Sequence, residues 1–384
     1  LKESIEILQL FESALQSGSK MIMATVVDVR GSAYRRAGAH FLLVSDGRKA
    51  GSISAGCLEN DLLARGDEVF DLTNSLLLEY DSDEFFGLNY GCDGTIQILV
   101  HPVSDSQTSF PRAFERAQKL GQTLVLATVY QCEDDSLIGS QVLFNQKEIF
   151  AGTASSAITN AVEENSRTIL DSKINCNLQI SSGTRVFCEV IKPSLRLAIF
   201  GAGDDVEPLL SIARSIGLEP HLIDSRRSYL DRFRETEIVH QFESESNVSE
   251  ILSSPEHTAI VIMSHNFELD KRFLTTVLES DCEYIGVMGS RKRTLKMLKE
   301  LGRPQDSRRI KFPIGLDLGA ETPEEIALSI CSEILAFFRN TSGRPLSTMS
   351  GTIHHRVDDD HHEENKQFLQ QNRQPICATG DLYE

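Results

Sequence analysis

The sequence predicts an α/β protein in two parts. An N-terminal α/β part comes first, and a doubly wound parallel sheet follows. Three observations predict this. After Lys192-Pro193-Ser194, the apolar runs RLAIF, PHLID, EIVHQ, TAIVIM, EYIGV and KFPIG alternate with helical stretches, and such alternation means βαβ units on a parallel sheet. The first of these runs leads straight into Gly201-Ala202-Gly203 and then a helical pattern. Upstream, strand-like runs mix with helical periodicity and with a hairpin signal at DGR.

Taken in order, Ile5, Leu8, Phe11 and Leu15 have helical spacing over residues 2–17. MIMATVVDV reads as a buried strand. HFLLVS and KAGSIS flank DGR as a hairpin, and a helical pattern runs from Gly56 to about Phe70. SLLLEY and TIQILVHP are strands that close a unit over residues 1–104. Residues 105–192 form an intermediate α/β segment expected to pack with that unit. It has helical stretches near 110–119 and 157–172 and strands at TLVLATVYQ, QVLFN, KEIFAG and TRVFCEVI, and no internal repeat is legible. The parallel-sheet domain spans residues 193–344. Its last helix opens at Thr322-Pro323 with Glu325 at N3, a capping box. Residues 345–384, with HHRVDDDHHEENKQ in the middle, read as a polar, disordered tail.

Composition narrows the function classes. A formal net charge of -18 argues against broad nucleic-acid binding and against adsorption to anionic lipid. No apolar run approaches the roughly 18 residues of a membrane helix, and the opening residues do not read as a secretory leader. The eight cysteines are irregularly spaced, with no CxxC. That pattern fits neither a disulfide framework nor a zinc site and suggests a reducing, cytoplasmic context. Cys188, Cys282 and Cys331 fall in apolar segments and are expected as buried small hydrophobes.

Several positions are candidates for chemistry. Gly201 and Gly203 follow a strand and precede a helix, the first half of a dinucleotide fingerprint. Val206 replaces its third glycine, and Asp204 and Asp205 would repel a pyrophosphate there. Asp224 ends the next strand, where a ribose-binding acid is expected. These features predict a Rossmann-like domain more firmly than bound NAD(P). His265 sits just past a strand end, where ligands bind in open α/β sheets. Gly289 and Ser290 lead into a helix that starts with Arg291, Lys292 and Arg293, a candidate oxyanion site. Two thiols lie in glycine-flanked turns, Cys57 in GSISAGCLEN and Cys92 in FGLNYGCDGT.

In order along residues 20–338, the segments ATVVDVRGSAYRRAGAHFLLVSDGRKAGSISAGCLE, FGLNYGCDGTIQILVHP, LAIFGAGDD, MSHNFELD, YIGVMGSRKRT and PIGLDLGAETPEEIALSI resemble the XdhC/CoxI family. Its members are accessory proteins of molybdenum hydroxylases such as xanthine dehydrogenase. The resemblance implies an N-terminal XdhC/CoxI domain and a C-terminal Rossmann domain. It implies a maturation chaperone rather than an enzyme. Such a chaperone binds molybdenum cofactor, as molybdopterin or its dinucleotide form, and assists its sulfuration and insertion. The implied partners are an apo xanthine dehydrogenase-type hydroxylase and a cysteine desulfurase, with a homodimer plausible. The family's Gly-Gly-Cys turn corresponds here to Ala55-Gly56-Cys57, and its second cysteine turn to Gly91-Cys92, with Asp93 where glycine is common.

The chemistry of that cargo suits these residues. The cofactor is an anionic phosphorylated pterin carrying an oxo-metal on a dithiolene, so a carrier needs cationic donors and a soft ligand. Arg30, Arg35 and Arg36 lie together in RGSAYRR, and Cys57 is the candidate molybdenum ligand. Two other readings stay open. One is an NAD(P)-dependent oxidoreductase with His265 as acid/base. The other is a non-catalytic docking protein in which the thiols are incidental.

Overall fold

The computed structural model of the 384-residue chain describes residues 2–31, 33–81, 94–234, 238–242 and 248–349. The first unit runs α1 (Lys2–Ser17), β1 (Met21–Gly31), β2 (His40–Val44), β3 (Lys49–Gly51), α2 (Cys57–Ala64), α3 (Asp67–Phe70), β4 (Leu76–Asp81) and β5 (Gly94–Pro102). The helical pattern expected over 56–70 is broken in the middle. Gly66 has φ 50°, a left-handed conformation that a right-handed helix cannot include. The five strands form an antiparallel sheet in the order β3-β2-β1-β5-β4.

The second unit repeats that plan. It runs α4 (Phe110–Leu120), β6 (Leu124–Gln131), β7 (Gln141–Phe144), β8 (Ile149–Gly152), α5 (Ser156–Ser172), β9 (Cys176–Gln179) and β10 (Arg185–Ile191). Its sheet order is β8-β7-β6-β10-β9, again antiparallel. The repetition is one of topology, so a search for recurring residues does not reveal it. β9 was also not legible, because of its four residues only Leu178 is buried.

The two units close on each other. Ile7, Phe11 and Ala14 of α1 and Ala113, Phe114 and Ala117 of α4 share one core with Met23 and Leu42 of the first sheet and Leu126 and Leu143 of the second. Each large side chain among these contributes about 1.5–3 kcal/mol by leaving water. A buried polar link crosses the same boundary. His40 Nδ1 meets Thr25 Oγ1 at 3.0 Å, and its Nε2 meets Glu189 Oε1 at 2.7 Å. On the outer faces, α2 packs on the first sheet through Leu58 and Leu62. On the second sheet α5 does so through Ile158, Val162 and Ile169.

The C-terminal domain runs β11 (Arg196–Phe200), α6 (Val206–Ser215), β12 (Glu219–Asp224), α7 (Arg227–Leu230), β13 (Ile238–Gln241), β14 (Thr258–Ile262), α8 (Phe267–Leu278), β15 (Tyr284–Val287), α9 (Arg291–Glu300), β16 (Ile310–Lys311) and α10 (Pro323–Phe338). The sheet is parallel, in the order β13-β12-β11-β14-β15-β16. That is the 3-2-1-4-5-6 order of a doubly wound dinucleotide fold, as the alternating pattern predicts. α6 and α10 cover one face through Leu209, Leu210, Ile330 and Ile334. The other face lies under α8 and α9 through Phe273, Leu274, Met297 and Leu298.

Two ends in this domain have clear chemical causes. The run KFPIG yields only the two-residue β16, because Pro313 offers no N–H to continue a ladder. α10 opens with the expected box: Glu325 N–H donates to Thr322 Oγ1 at 3.3 Å, and Thr322 N–H donates to the Glu325 carboxylate at 3.1 Å. A cavity of about 400 Å³ lies where the two antiparallel units meet this domain, at the N-terminal ends of β11 and β12. Ile5, Leu8, Phe114, Arg196 and His257 line it. It is therefore at the opposite end of the sheet from the glycine turn. Among the described residues no helix is long and apolar enough to cross a membrane.

Candidate functional site

Cys57 is the first residue of α2 and is solvent-exposed. The preceding Gly56 has φ 111°, so glycine is required there by conformation. It is not required by crowding among the described residues, since a Cβ at that position would meet none of them within 4 Å. Ala55, which stands where the family has a glycine, is not among the positive-φ residues and fits the turn without strain.

The organiser of this turn is Glu59, which sequence reasoning missed. Its residue is 6% exposed, and its carboxylate accepts the N–H groups of Ile53 and Ser54, each at 2.9 Å, and of Gly56 at 3.2 Å. It also accepts the hydroxyls of Ser52, at 2.8 Å, and Ser54. Burial pushes its carboxyl up. The Ser54 hydroxyl and the ring of N–H donors outweigh burial and hold it at about 2. The available signal was the Glu three residues into a helix after a glycine turn, half of a capping box. Ser54 Oγ in turn accepts the N–H of Leu58, so the chain on both sides of Cys57 is fixed.

The other N-terminal candidates are more dispersed. Arg30 ends β1 and pairs with Asp28 at 3.3 Å. Arg35 reaches back to α1, bonding Glu3 at 2.9 Å. Arg36 is exposed. Gly91 and Cys92 lie outside the described residues. Their flanks are informative. Asp81 and Gly94, which bracket residues 82–93, pair in adjoining registers with Thr95 and with Gly31 at the end of β1. Tyr80, just before that bracket, donates to Asp61 of α2 at 2.6 Å. The elements flanking the two cysteine turns are thus joined by one hydrogen bond. Desolvation, with Asp61 beside it, raises the Tyr80 phenol well above its usual range, so the bond is made by a neutral donor.

In the C-terminal domain, Gly201 has φ 125°, and an added Cβ would lie 2.5 Å from Ser264 N and 2.6 Å from Met263 C. Close approach of two strand exits fixes this glycine. Gly203 faces Asp205 and His265. His265 has φ 60°, unusual for a non-glycine residue, and its Nε2 meets Asp205 Oδ2 at 2.7 Å. The structure brings Gly203, Asp205 and His265 together across the mouth of the sheet's C-terminal edge. Asp224 has a different environment from the one expected. Its side chain is fully buried. Oδ1 accepts Arg226 N–H at 2.8 Å and Nε–H at 2.9 Å, and Oδ2 accepts Ala202 N–H at 2.8 Å and Arg226 Nη2 at 2.6 Å. Burial works against its charge, and these donors pull its carboxyl below the usual range. With four donors in place, the carboxylate has no lone pair left for a ribose hydroxyl.

Ser290 caps α9, accepting Arg293 N–H at 3.3 Å, after Gly289 at φ 111°. Of the basic first turn, Arg291 lies 5.3 Å over the Phe312 ring, and Arg293 pairs at 2.7 Å with the buried Asp270. Asp270 also accepts from Ser264 N–H and hydroxyl. The strand exit before His265 is therefore tied to the α9 turn. Cys188, Cys282 and Cys331 are buried, as expected. Among the described residues no group of three or more His, Cys, Asp or Glu is placed to hold a metal ion.

Fold and site together define a Rossmann-domain protein joined to a thiol-bearing antiparallel β-domain. Residues 197–334 match the XdhC Rossmann domain, and residues 14–81 match the XdhC and CoxI family. The chain belongs to the XdhC/CoxI family. It is 29% identical over 334 residues to a probable xanthine dehydrogenase subunit of Bacillus subtilis, covering 85% of this chain and 96% of that protein. It is 22% identical over 333 residues to the molybdenum cofactor insertion chaperone PaoD of Escherichia coli, covering 85% of this chain and 86% of that protein. A solved structure described as a xanthine dehydrogenase of Bacillus halodurans superposes with a TM-score of 0.69 at 26% identity, covering 89% of this chain and 97% of that one.

Proposed function

We propose that this chain is an accessory protein that holds molybdenum cofactor and passes it to a xanthine dehydrogenase-type hydroxylase, working in a cytoplasmic compartment. The carrying observation is the Cys57 turn: an exposed sulfur at a helix start, on a backbone locked by Glu59. Similarity to a relative named as an insertion chaperone supports the same reading.

The molybdenum cofactor is cargo here. It brings its own dithiolene ligands, so a carrier needs one soft protein donor and cationic contacts for its phosphate. Cys57 supplies the first. Arg30, exposed at the end of β1, is suited to the second, with Arg36 and the Gly91-Cys92 turn as further proposed contacts. A cysteine desulfurase is the proposed sulfur source, and a homodimer the proposed assembly. The Rossmann edge then serves the nucleotide of a dinucleotide cofactor or a separate ligand. A maturation assay tests the reading. In cells lacking the chain, wild type should restore molybdenum to the hydroxylase, and Cys57→Ser should restore little. Full restoration by Cys57→Ser would favour the docking-protein reading instead.

A further inference from the structure

The ribose end of the Rossmann crevice has had its charge reversed. In sheets of this order an acid at the end of the second strand receives the ribose hydroxyls of a dinucleotide. Here that acid is Asp224, and it is saturated by four donors, two of them from the Arg226 side chain. What faces outward in its place is the Arg226 guanidinium, whose side chain is 29% exposed. Two of its five N–H groups bind Asp224, and among the described residues no partner takes the other three.

The guanidinium is also braced. Its carbon lies 3.8 Å over the ring of Tyr229, itself 38% exposed, so the guanidinium rests on an aromatic floor. Arg232 approaches the same ring at 5.4 Å. It ties the glycine turn to it by donating to Ala202 O at 2.7 Å and pairing with Asp204. Arg227 beside it is exposed. The segment Asp224–Arg234 thus carries four arginines, Arg226, Arg227, Arg232 and Arg234, against two aspartates, in a chain of net charge -18.

We propose that this edge is a subsite for a phosphate monoester on the ribose of an adenine nucleotide, the 2′-phosphorylated class rather than the unphosphorylated one. Arg226 and Arg227 receive the phosphate through charge-assisted, bidentate-capable donors. The outer face of the Arg226–Tyr229 stack carries the adenine ring. Asp224 acts as a positioning residue that fixes the fork of Arg226 and does not touch the ligand. The inference is independent of the cofactor-carrier reading, because Cys57 lies in the other half of the molecule and plays no part in it.

Calorimetric titration of the purified full chain with 2′,5′-ADP, 5′-AMP and inorganic phosphate tests the proposal. The 2′,5′-ADP should bind at least about tenfold more tightly than 5′-AMP, the difference one good charge-assisted contact supplies. Inorganic phosphate alone should bind more weakly than either. Arg226→Lys keeps a cation beside Asp224 for folding but loses the planar fork, and Tyr229→Ala leaves the Arg226–Asp224 pair intact but removes the floor. Both should abolish the preference. Equal affinity for 2′,5′-ADP and 5′-AMP, no binding of either, phosphate binding as tight as 2′,5′-ADP, or a preference that survives both variants would each overturn it.

Discussion

Replacing Glu59 with glutamine removes one charge from a site that five donors surround. Burial alone would raise the wild-type carboxyl, yet the Ser54, Ile53 and Gly56 donors overcome it and hold the group at about 2 against an ordinary 4.5. A shift of that size corresponds to roughly 3 kcal/mol of local stability at neutral pH. Glutamine keeps one oxygen for Ile53 and Ser54 but turns an NH2 group toward the Gly56 N–H and the Ser54 hydroxyl, donor against donor. The cost should fall on the turn first. Amide hydrogen exchange read at Ile53, Ser54 and Gly56 should speed up on the order of 100-fold in Glu59→Gln, the local-opening equivalent of that energy. The sign with pH follows from the depressed carboxyl. Its stabilisation is fully present above about 4.5 and is lost as pH falls toward about 2. The gap between wild type and variant should therefore narrow on acidification. Unchanged exchange at those three amides, or a gap that widens in acid, would refute the assignment of Glu59 as the organiser of the cysteine turn.

Other perturbations have equally definite outcomes. Gly201→Ala sets a Cβ 2.5 Å from backbone at Ser264, so it should lower thermal stability severely, by about 3 kcal/mol or more; Gly203→Ala crowds the movable Asp205 side chain, with His265 at ordinary contact distance, and should cost about 1 kcal/mol in the same melts. His265→Gly relieves a left-handed backbone, so the melting temperature should hold or rise despite the lost Asp205 contact, a change of about 1 kcal/mol at most. Glu189→Ala leaves His40 buried without its partner at the boundary between the two antiparallel units. It should cost about 3 kcal/mol by chemical denaturation, and the double variant with His40→Leu should recover part of it.

Much of the C-terminal half was legible because its parallel strands are buried on both faces and read as unbroken apolar runs between helices. The Thr322–Glu325 box was legible because it is local. What sequence reading missed depends on contacts across long separations. The repeated sheet order of the two antiparallel units leaves no residue pattern, since each strand needs only to be apolar on its buried face. The acid at Asp224 was located correctly as a strand end. Its saturation by Arg226, two residues on, reverses the charge that the crevice presents. Glu59 looked like an ordinary first-turn acid, because the N–H groups it gathers come from a loop whose path no periodicity specifies. The cysteine turn at Gly91-Cys92 lies outside the described residues.

The most direct test of the central claim is the molybdenum content of the protein after anaerobic incubation with isolated molybdenum cofactor, counted per chain for wild type and for Cys57→Ala. Near-stoichiometric metal is expected on wild type, and its loss on a variant that stays folded, because residue 57 is exposed and its side chain holds no part of the core. Metal retained equally by both proteins, or by neither, would contradict Cys57 as the contact through which this chain carries its cargo.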